Sequence, residues 1–404
     1  MVNKKHKILL GEIIKIHRGA SPRPIQKYLT NSSDGINWIK IGDVGSKDKY
    51  IKSTSQKITL EGAINSRQVY KGDFLLSNSM SFGRPYILDI DGAIHDGWLV
   101  LQEYEEHFDI DFLYYYLSSD IVINQYKSKA AGSSVLNLNK DLVSSVEVEI
   151  PDIQEQNKIS KILSDIDELI NSLSDFIKKK QLIKESVLED LVTGKRRLNG
   201  FGTEWENINL GKTSLLKARI GWQGLTTSEY LESGFAYLIT GTDFKKGTIN
   251  WKDIHFVEKH RYDQDKNIQI QEGDLLLTKD GTIGKVALIK NLNKPATLNS
   301  GVFVIRPIQN RYLTEYVYYV LTSSVFKKFL RKLAAGSTIS HLYQKDLTNF
   351  EFFLPSSLKE QKAVATVLSD MDEEIFKLEE KLEKYKKIKQ GMMEQLLTGK
   401  IRLA

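Results

Sequence analysis

Gly281-Thr282-Ile283-Gly284-Lys285 carries the glycines and the lysine from which a phosphate loop is built. A phosphate loop needs four residues between its glycines and a Ser or Thr after the Lys, so that backbone N–H groups and a hydroxyl converge on the phosphates. Here two residues intervene and Val286 follows. The Thr-Gly-Lys segments at 193–195 and 398–400 lack the upstream glycine altogether. Glu360-Gln361-Lys362 has the look of part of a nuclease motif, yet it opens a helical pattern and its copy is Glu155-Gln156-Asn157. An acidic residue in a first helical turn is explained by the helix dipole. No two prolines are adjacent, which removes the Asp/Asn-Pro-Pro-aromatic motif of amino-methyltransferases, and there is no Gly-x-Gly-x-x-Gly. The seven histidines are scattered and there are no cysteines, which excludes disulfides, thiolate zinc and iron–sulfur sites. No catalytic constellation survives, and the expectation is a chain without a metal or cofactor of its own.

The elements that would position functional groups come twice. Pro151 precedes Gln154-Glu155-Gln156 and Leu163-Ser164-Asp165-Ile166-Asp167-Glu168, while Pro355 precedes Lys359-Glu360-Gln361 and Leu368-Ser369-Asp370-Met371-Asp372-Glu373. Leu191-Val192-Thr193-Gly194-Lys195 answers Leu396-Leu397-Thr398-Gly399-Lys400, and the offset across these helix motifs is 205 residues. Looser anchors lie upstream: Leu10-Gly11 with Leu210-Gly211, Gly72-Asp73-Phe74-Leu75-Leu76-Ser77 with Gly273-Asp274-Leu275-Leu276-Leu277-Thr278, and Ala130-Ala131-Gly132-Ser133-Ser134 with Ala334-Ala335-Gly336-Ser337-Thr338. So long a period is not that of a solenoid. It is a tandem duplication of a variable domain followed by a near-identical helix. The expected segments are a domain at 1–150, a helix at 151–198, a second domain at 199–354 and a second helix at 355–404.

Ile159, Leu163, Ile166, Ile170, Leu173 and Ile177 recur in steps of four and three, as do Val364, Leu368, Met371, Ile375, Leu378, Leu382, Tyr385, Met392 and Leu396 in the second copy. That spacing predicts a coiled-coil seam, and Lys180, Lys184 and Lys389 fall on it. Polar seam residues cost stability but fix register. Proline before and glycine after bound each helix at about 40 residues, or roughly 60 Å. The seam needs a partner. Either the helices pair antiparallel about a pseudo-two-fold axis, or each folds back on its own domain, and the long shared register favours the pair. The expected class is α+β, with two tandem mixed α/β domains each followed by a long helix. A second stripe, Ile162, Leu169, Phe176 and Ile183, is confined to the first helix. It reads equally as a seat for another protein chain or as cover for the base of a domain.

The net charge is +6, but segments 154–192 and 359–398 carry −2 and −1, leaving +9 for the rest of the chain. Such a distribution suits domains that face a polyanion and helices that face protein. Strand candidates are Trp38–Ile41, Phe74–Leu76 and Gly97–Leu101, matched by Tyr237–Ile239, Leu275–Leu277 and Gly301–Ile305. The aromatic helices Phe112–Leu117 and Tyr316–Leu321 read as core rather than as a base-stacking platform. Loop residues are the contact candidates. In the first copy these are Arg18, Arg23, Asn78, Ser79, Arg84, Ser133, Ser134, Asn137, Asn139 and Lys140. In the second they are Arg219, Trp222, Gln223, Lys279, Thr282, Lys285, Ser337, Thr338, His341, Tyr343, Gln344 and Lys345. Arg and Lys neutralise phosphates, and Arg, Asn and Gln pair with base edges. Each also stands as an ordinary solvated loop residue.

The basic start, Met1 to Lys7, is followed by an apolar run that stops at Gly11-Glu12, too short for a signal peptide. No stretch reaches the roughly 18 apolar residues of a membrane span, so a cytoplasmic location is expected.

In the order and repetition of its motifs the chain resembles the DNA specificity subunits of type I restriction–modification systems. The matching motifs are the Gly-Asp-Phe/Leu-Leu-Leu-Ser/Thr segments, the Gly-Ser-Ser/Thr loops, the Pro-x-x-x-Glu-Gln helix starts, the Leu-Ser-Asp-x-Asp-Glu turns and the Leu-Thr-Gly-Lys ends. The resemblance implies two target-recognition domains that read a bipartite, asymmetric double-stranded DNA target. It also implies a helical spacer docking two methyltransferase subunits, and through them motor–nuclease restriction subunits. S-adenosylmethionine, ATP and Mg would bind those partners, and this chain would catalyse nothing. A subunit of a combined restriction–methylation enzyme is a close alternative. A non-DNA interaction scaffold, displaying two ligand-binding domains on a coiled coil, is the alternative from another class.

Overall fold

A computed structural model describes residues 7–45, 48–78, 83–130, 138–334 and 341–403. The chain divides into two compact units, Met1–Ser174 with Glu380–Ala404, and Asp175–Glu379. Each contains one mixed domain, the first part of one long helix and the last part of the other.

In the first domain, β1 (Lys15–Arg18), β2 (Phe74–Ser77), β3 (Pro85–Leu88) and β4 (Trp98–Gln102) form an antiparallel sheet ordered β1-β4-β2-β3, extended past β3 by Tyr50–Ile51. A second sheet contains the parallel pair Ile36–Ile39 and Gly92–Ile94. Strand β2 is buried at every position because its alternate residues serve different cores. Phe74 and Leu76 pack with the helices, while Leu75 packs with Tyr86, Trp98 and Ile94. This two-sided burial is why the strand reads as an unbroken apolar run. Helices α1 (Ile110–Leu117) and α2 (Asp120–Ala130) follow, and then the long α3 (Ile153–Val192).

The second domain repeats the plan. β5 (Ser214–Ala218), β6 (Leu275–Thr278), β7 (Val286–Leu288) and β8 (Val302–Pro307) are ordered β5-β8-β6-β7, beside a parallel pair Ala236–Ile239 and Ala296–Leu298. Leu275 and Leu277 again face the helices and Leu276 the other core. Helices α4 (Thr314–Thr322) and α5 (Ser324–Ala334) lead to the long α6 (Leu358–Leu397). The predicted strands and aromatic helices are all present, and the α1 and α4 aromatics Phe112, Tyr115, Tyr116, Tyr316 and Tyr319 are buried in the cores. The departures are at strand ends: the first strand stops at Ile39, where Lys40 and Ile41 lead into a short 3₁₀ turn, and Gly97 and Gly301 lie in turns just before their strands.

Asp152 and Ser357 accept the Glu155 and Glu360 N–H groups at the helix starts. Gly194 and Gly399, at φ +71° and +64°, end the helices in the left-handed conformation that glycine adopts without cost. The two helices pair antiparallel. In the second unit Lys184 binds Asp372, which also accepts the Tyr319 hydroxyl at 2.9 Å, and Lys180 meets Glu374 at 2.7 Å. In the first unit Lys389 binds Asp167 at 2.6 and 2.7 Å, and Asp167 accepts the Tyr115 hydroxyl at 2.9 Å. Two of the seam lysines, Lys184 and Lys389, are thus partnered by the second Asp of each Leu-Ser-Asp-x-Asp-Glu segment. The helix ends also fill domain cores. Ile159, Leu163, Leu396 and Leu397 enter the first, and Leu188, Leu191, Val192, Val364 and Leu368 enter the second.

The Glu-Gln pairs do more than start helices. Arg197 makes a two-point contact with Glu360 at 2.9 and 2.6 Å, and Arg402 meets Glu155 at 2.6 Å. Gln361, fully buried, accepts the Leu313 N–H at 2.9 Å and donates to the Pro355 carbonyl at 2.9 Å. Gln156 does the same for Asp109 and Pro151, each at 2.9 Å. Gln361→Leu leaves a buried N–H and a buried carbonyl unpaired, and is expected to cost about 2–4 kcal/mol. Chemical denaturation of the full chain, following the second domain, measures this; an unchanged midpoint would show that the tie is dispensable.

Candidate nucleic-acid interface

Two loops meet at one end of each β-sheet, and equivalent backbone bonds hold them there. In the first domain Leu138 N–H donates to the Asn78 carbonyl at 2.8 Å, and Asn78 N–H to Gly97 at 3.0 Å. In the second, Leu342 N–H donates to the Lys279 carbonyl at 2.8 Å, and Lys279 N–H to Gly301 at 2.9 Å. Each loop after the Gly-Asp strand closes on a left-handed glycine, Gly83 or Gly284, seated against Tyr126 of α2 or Leu330 of α5. The second loop joins the antiparallel strands β6 and β7, so no helix N-terminus follows it as a phosphate loop would require.

Arg18, Arg23, Asn78 and Asn139 line one cleft of about 740 Å³ in the first domain. Trp38, Lys40, His95 and Asp96 line it too. Spacing drew no attention to these four; the available signal was that His95-Asp96-Gly97 stands where the second copy has Asn299-Ser300-Gly301, just before a matched strand. The Asp96 backbone carbonyl accepts from Arg18 Nε at 3.2 Å and from Asn78 Nδ2 at 2.8 Å. Its carboxylate accepts the Ser21 hydroxyl at 2.9 Å, which holds its pKa below the usual carboxylate value. Burial pushes the His95 pKa down, keeping that ring neutral. The cleft therefore offers cationic donors in Arg18, Arg23 and Lys40 around one ionised acceptor. Such donors suit phosphates and guanine edges, and such an acceptor suits a cytosine amino group. Asn139 is partly committed, because its Oδ1 caps the short helix Lys140–Ser144. Lys140 is exposed at that helix start, and Arg84 lies over the Tyr86 ring at 5.5 Å rather than in the cleft.

In the second domain His341 is bound to Asp280 and packs on Tyr343 at 4.4 Å between ring centroids, with Lys345 over the Tyr343 ring at 5.5 Å. Lys279 lies over Phe303, while Thr282, Lys285 and Gln344 are exposed nearby in sequence. Ser79, Ser133, Ser134, Asn137, Ser337 and Thr338 lie outside the described residues.

Two expectations need correction. Arg219 is 1% exposed, not a surface contact. Its guanidinium donates to the Leu298 carbonyl at 2.8 Å and to Thr297 Oγ1 at 3.2 Å, bracing a loop against the parallel strand pair. Gln223 is also buried, with no hydrogen-bond partner for its Oε1 among the described residues. Trp222 between them is 77% exposed. On α3, Leu169, Phe176 and Ile183 are 45%, 45% and 44% exposed, and Ile162 is half-buried, so the stripe does not serve as cover for a domain base.

Among the described residues no cluster of three or more His, Cys, Asp or Glu could hold a metal, and no helix is long and apolar enough to cross a membrane. The family model for the type I restriction modification DNA specificity domain matches residues 3–185 and 223–390. The chain belongs to that family. As a specificity subunit it serves DNA sequence recognition and is a non-catalytic component. This specificity chain is 25% identical to the type I restriction enzyme MjaVIII specificity subunit of Methanocaldococcus jannaschii, over 98% of this chain and 92% of that one. It is 26% identical to the MjaX specificity subunit of the same organism, over 66% of this chain and 62% of that one. Its fold is similar to that of the type I restriction–modification S subunit from M. genitalium, with TM-score 0.57, 15% identity and 98% of each chain covered. A chain from another type I system aligns with TM-score 0.64, 18% identity and 97% of each chain covered.

The burial contrast within residues 219–223 gives a paired prediction. Arg219→Leu leaves buried acceptors unpaired and should lower stability by about 2–4 kcal/mol. Trp222→Ala, at an exposed site, should stay within about 0.5 kcal/mol of the parent while weakening duplex binding. Thermal unfolding and a binding titration on both variants separate the two roles; equal stability losses would put Trp222 in the structural group.

Proposed function

We propose that the two domains of this specificity chain read the two dissimilar halves of a split duplex DNA target. What carries the reading is the pair of loop sites. Equivalent backbone bonds hold equivalent loops, yet the side chains presented differ: Arg18, Arg23, Lys40 and Asp96 in the first domain, where Asn78 is itself buried and braces Asp96, and Lys279, His341, Tyr343 and Lys345 in the second. Dissimilar side chains on a shared frame read dissimilar sequences. The paired helices act as the spacer between half-sites, and the exposed Leu169, Phe176 and Ile183 are a seat for methyltransferase subunits. Those partners bind S-adenosylmethionine and methylate adenine. Motor–nuclease subunits that bind ATP and Mg join through them, in the cytoplasm.

Mapping methylated adenines in a host that expresses the chain with its methyltransferase tests this directly. The expected result is a split motif that vanishes when the chain is deleted, and exchange of residues 199–354 for those of another family member should change one half of it. Methylation of the same motif without the chain would defeat the reading in favour of a non-DNA scaffold.

The spacer makes a separate prediction. Four residues inserted in each helix, after Ser174 and after Glu379, add about 6 Å at 1.5 Å per residue. Both half-sites should stay the same while the gap between them grows by about two base pairs at 3.4 Å each. Altered half-sites would show that the helices do not set the separation.

A further inference from the structure

Helix α5 is two-faced. Val325, Phe326, Phe329 and Leu330 pack into the core of the second domain, where Phe326 and Phe329 lie against Phe350 at 5.0 Å between ring centroids. The opposite arc carries Lys327, Lys328, Arg331 and Lys332, all exposed. At 100° per residue these four span only about 140° of the helix surface. The helix contains no acidic residue, and none of the four forms an ion pair among the described residues. The helix dipole favours Arg331 and Lys332 in the last turn, but Lys327 and Lys328 stand nearer the N-terminus, where it opposes them.

The duplicated helix shows that packing does not demand this charge. Helix α2 occupies the same place in the first domain, with Tyr126 against Gly83 as Leu330 stands against Gly284. At the positions equivalent to the four cations α2 has Ile123, Asn124, Lys127 and Ser128, a single cation. The cationic arc is also continuous with the second recognition loop, because Lys327 and Lys285 line one cleft of about 500 Å³. A third lysine there, Lys246, is committed to Glu379.

We propose that the exposed face of α5 is a phosphate-binding ridge that grips the DNA backbone beside the second half-site. It makes the hold on DNA lopsided, with the second domain supplying most of the sequence-independent attraction. This rests on the DNA reading above and adds which surface meets phosphate. The ridge positions the second recognition loops without reading bases.

The test is a salt titration of duplex binding by the full chain with its methyltransferase partner. The probes are a mixed-sequence 30-base-pair duplex and a duplex carrying the mapped motif. Each neutralised phosphate contributes about 0.9 to the slope of log affinity against log salt. Lys327→Ala/Lys328→Ala/Arg331→Ala/Lys332→Ala should therefore flatten the slope by about 3–4, removing roughly 10²-fold of the affinity change between 50 and 200 mM salt. The recognised motif should not change. The corresponding Gln substitutions, with circular dichroism to confirm folding, guard against a packing effect. Neutralising Lys381, Lys384, Lys386 and Lys387, exposed on α6, controls for net charge.

A steep parental slope that the α5 variants leave unchanged overturns the proposal; if those variants instead lose the methyltransferase, the face belongs to protein. Equal flattening by the α6 control also overturns it, since net charge would then suffice. If the parent shows no salt-dependent duplex affinity, the DNA reading itself falls, and the ridge with it.

Discussion

An apolar seam that runs most of the length of a 40-residue helix cannot face water, and the structure depends on how that seam is covered. Each long helix is covered by the other, with a lysine, an aspartate and a tyrosine hydroxyl meeting at equivalent places in the two units. A lysine on a seam is a poor source of net stability, because desolvating it offsets much of what its ion pair returns. Its effect is on choice. In a slipped or parallel pairing the ammonium would face apolar side chains without its carboxylate, so one register is selected among many. The tyrosine extends that selection into a domain, since Tyr115 and Tyr319 belong to α1 and α4.

The same economy governs the cores. Neither domain is closed by its own segment of chain alone: Leu396 and Leu397 arrive from the far end of the sequence to complete the first, and Leu188, Leu191 and Val192 come from the preceding repeat to complete the second. Arg197 and Arg402 fasten these arrivals to Glu360 and Glu155. Folding of one repeat is thereby tied to that of the other, and the recognition loops sit on sheets whose inner face already packs on the paired helices.

What was legible in the sequence followed from period and repetition. The seam lysines stood out because a 3.5-residue pattern runs through them, and β2 and β6 because two-sided burial leaves an apolar run no loop would carry. The Glu-Gln pairs were legible only as helix starts, since the arginines they meet lie about 160 and 250 residues away in the chain. Arg219 misled for a related reason. An arginine beside glycine and tryptophan in a loop has the composition of a surface contact, and its burial is decided by a carbonyl 79 residues away. Asp96 and Lys40 escaped notice because a cleft assembled from five separate segments leaves no local spacing. The charge of α5 was visible as composition, but only its packed apolar face shows which way the cations point.

The loops that present the recognition side chains are fastened by main-chain groups: the carbonyls of Asn78, Gly97, Lys279 and Gly301, and the amides of Leu138, Asn78, Leu342 and Lys279. A carbonyl and an amide are common to nearly every residue type, so the fastening is largely indifferent to what side chain stands there. Structural duty at these anchors falls on the main chain and on Gly83 and Gly284, which leaves the side chains of the described anchor residues freer to vary. A lineage can therefore wander through many target sequences by single substitutions in these loops, without first passing through an unfolded ancestor.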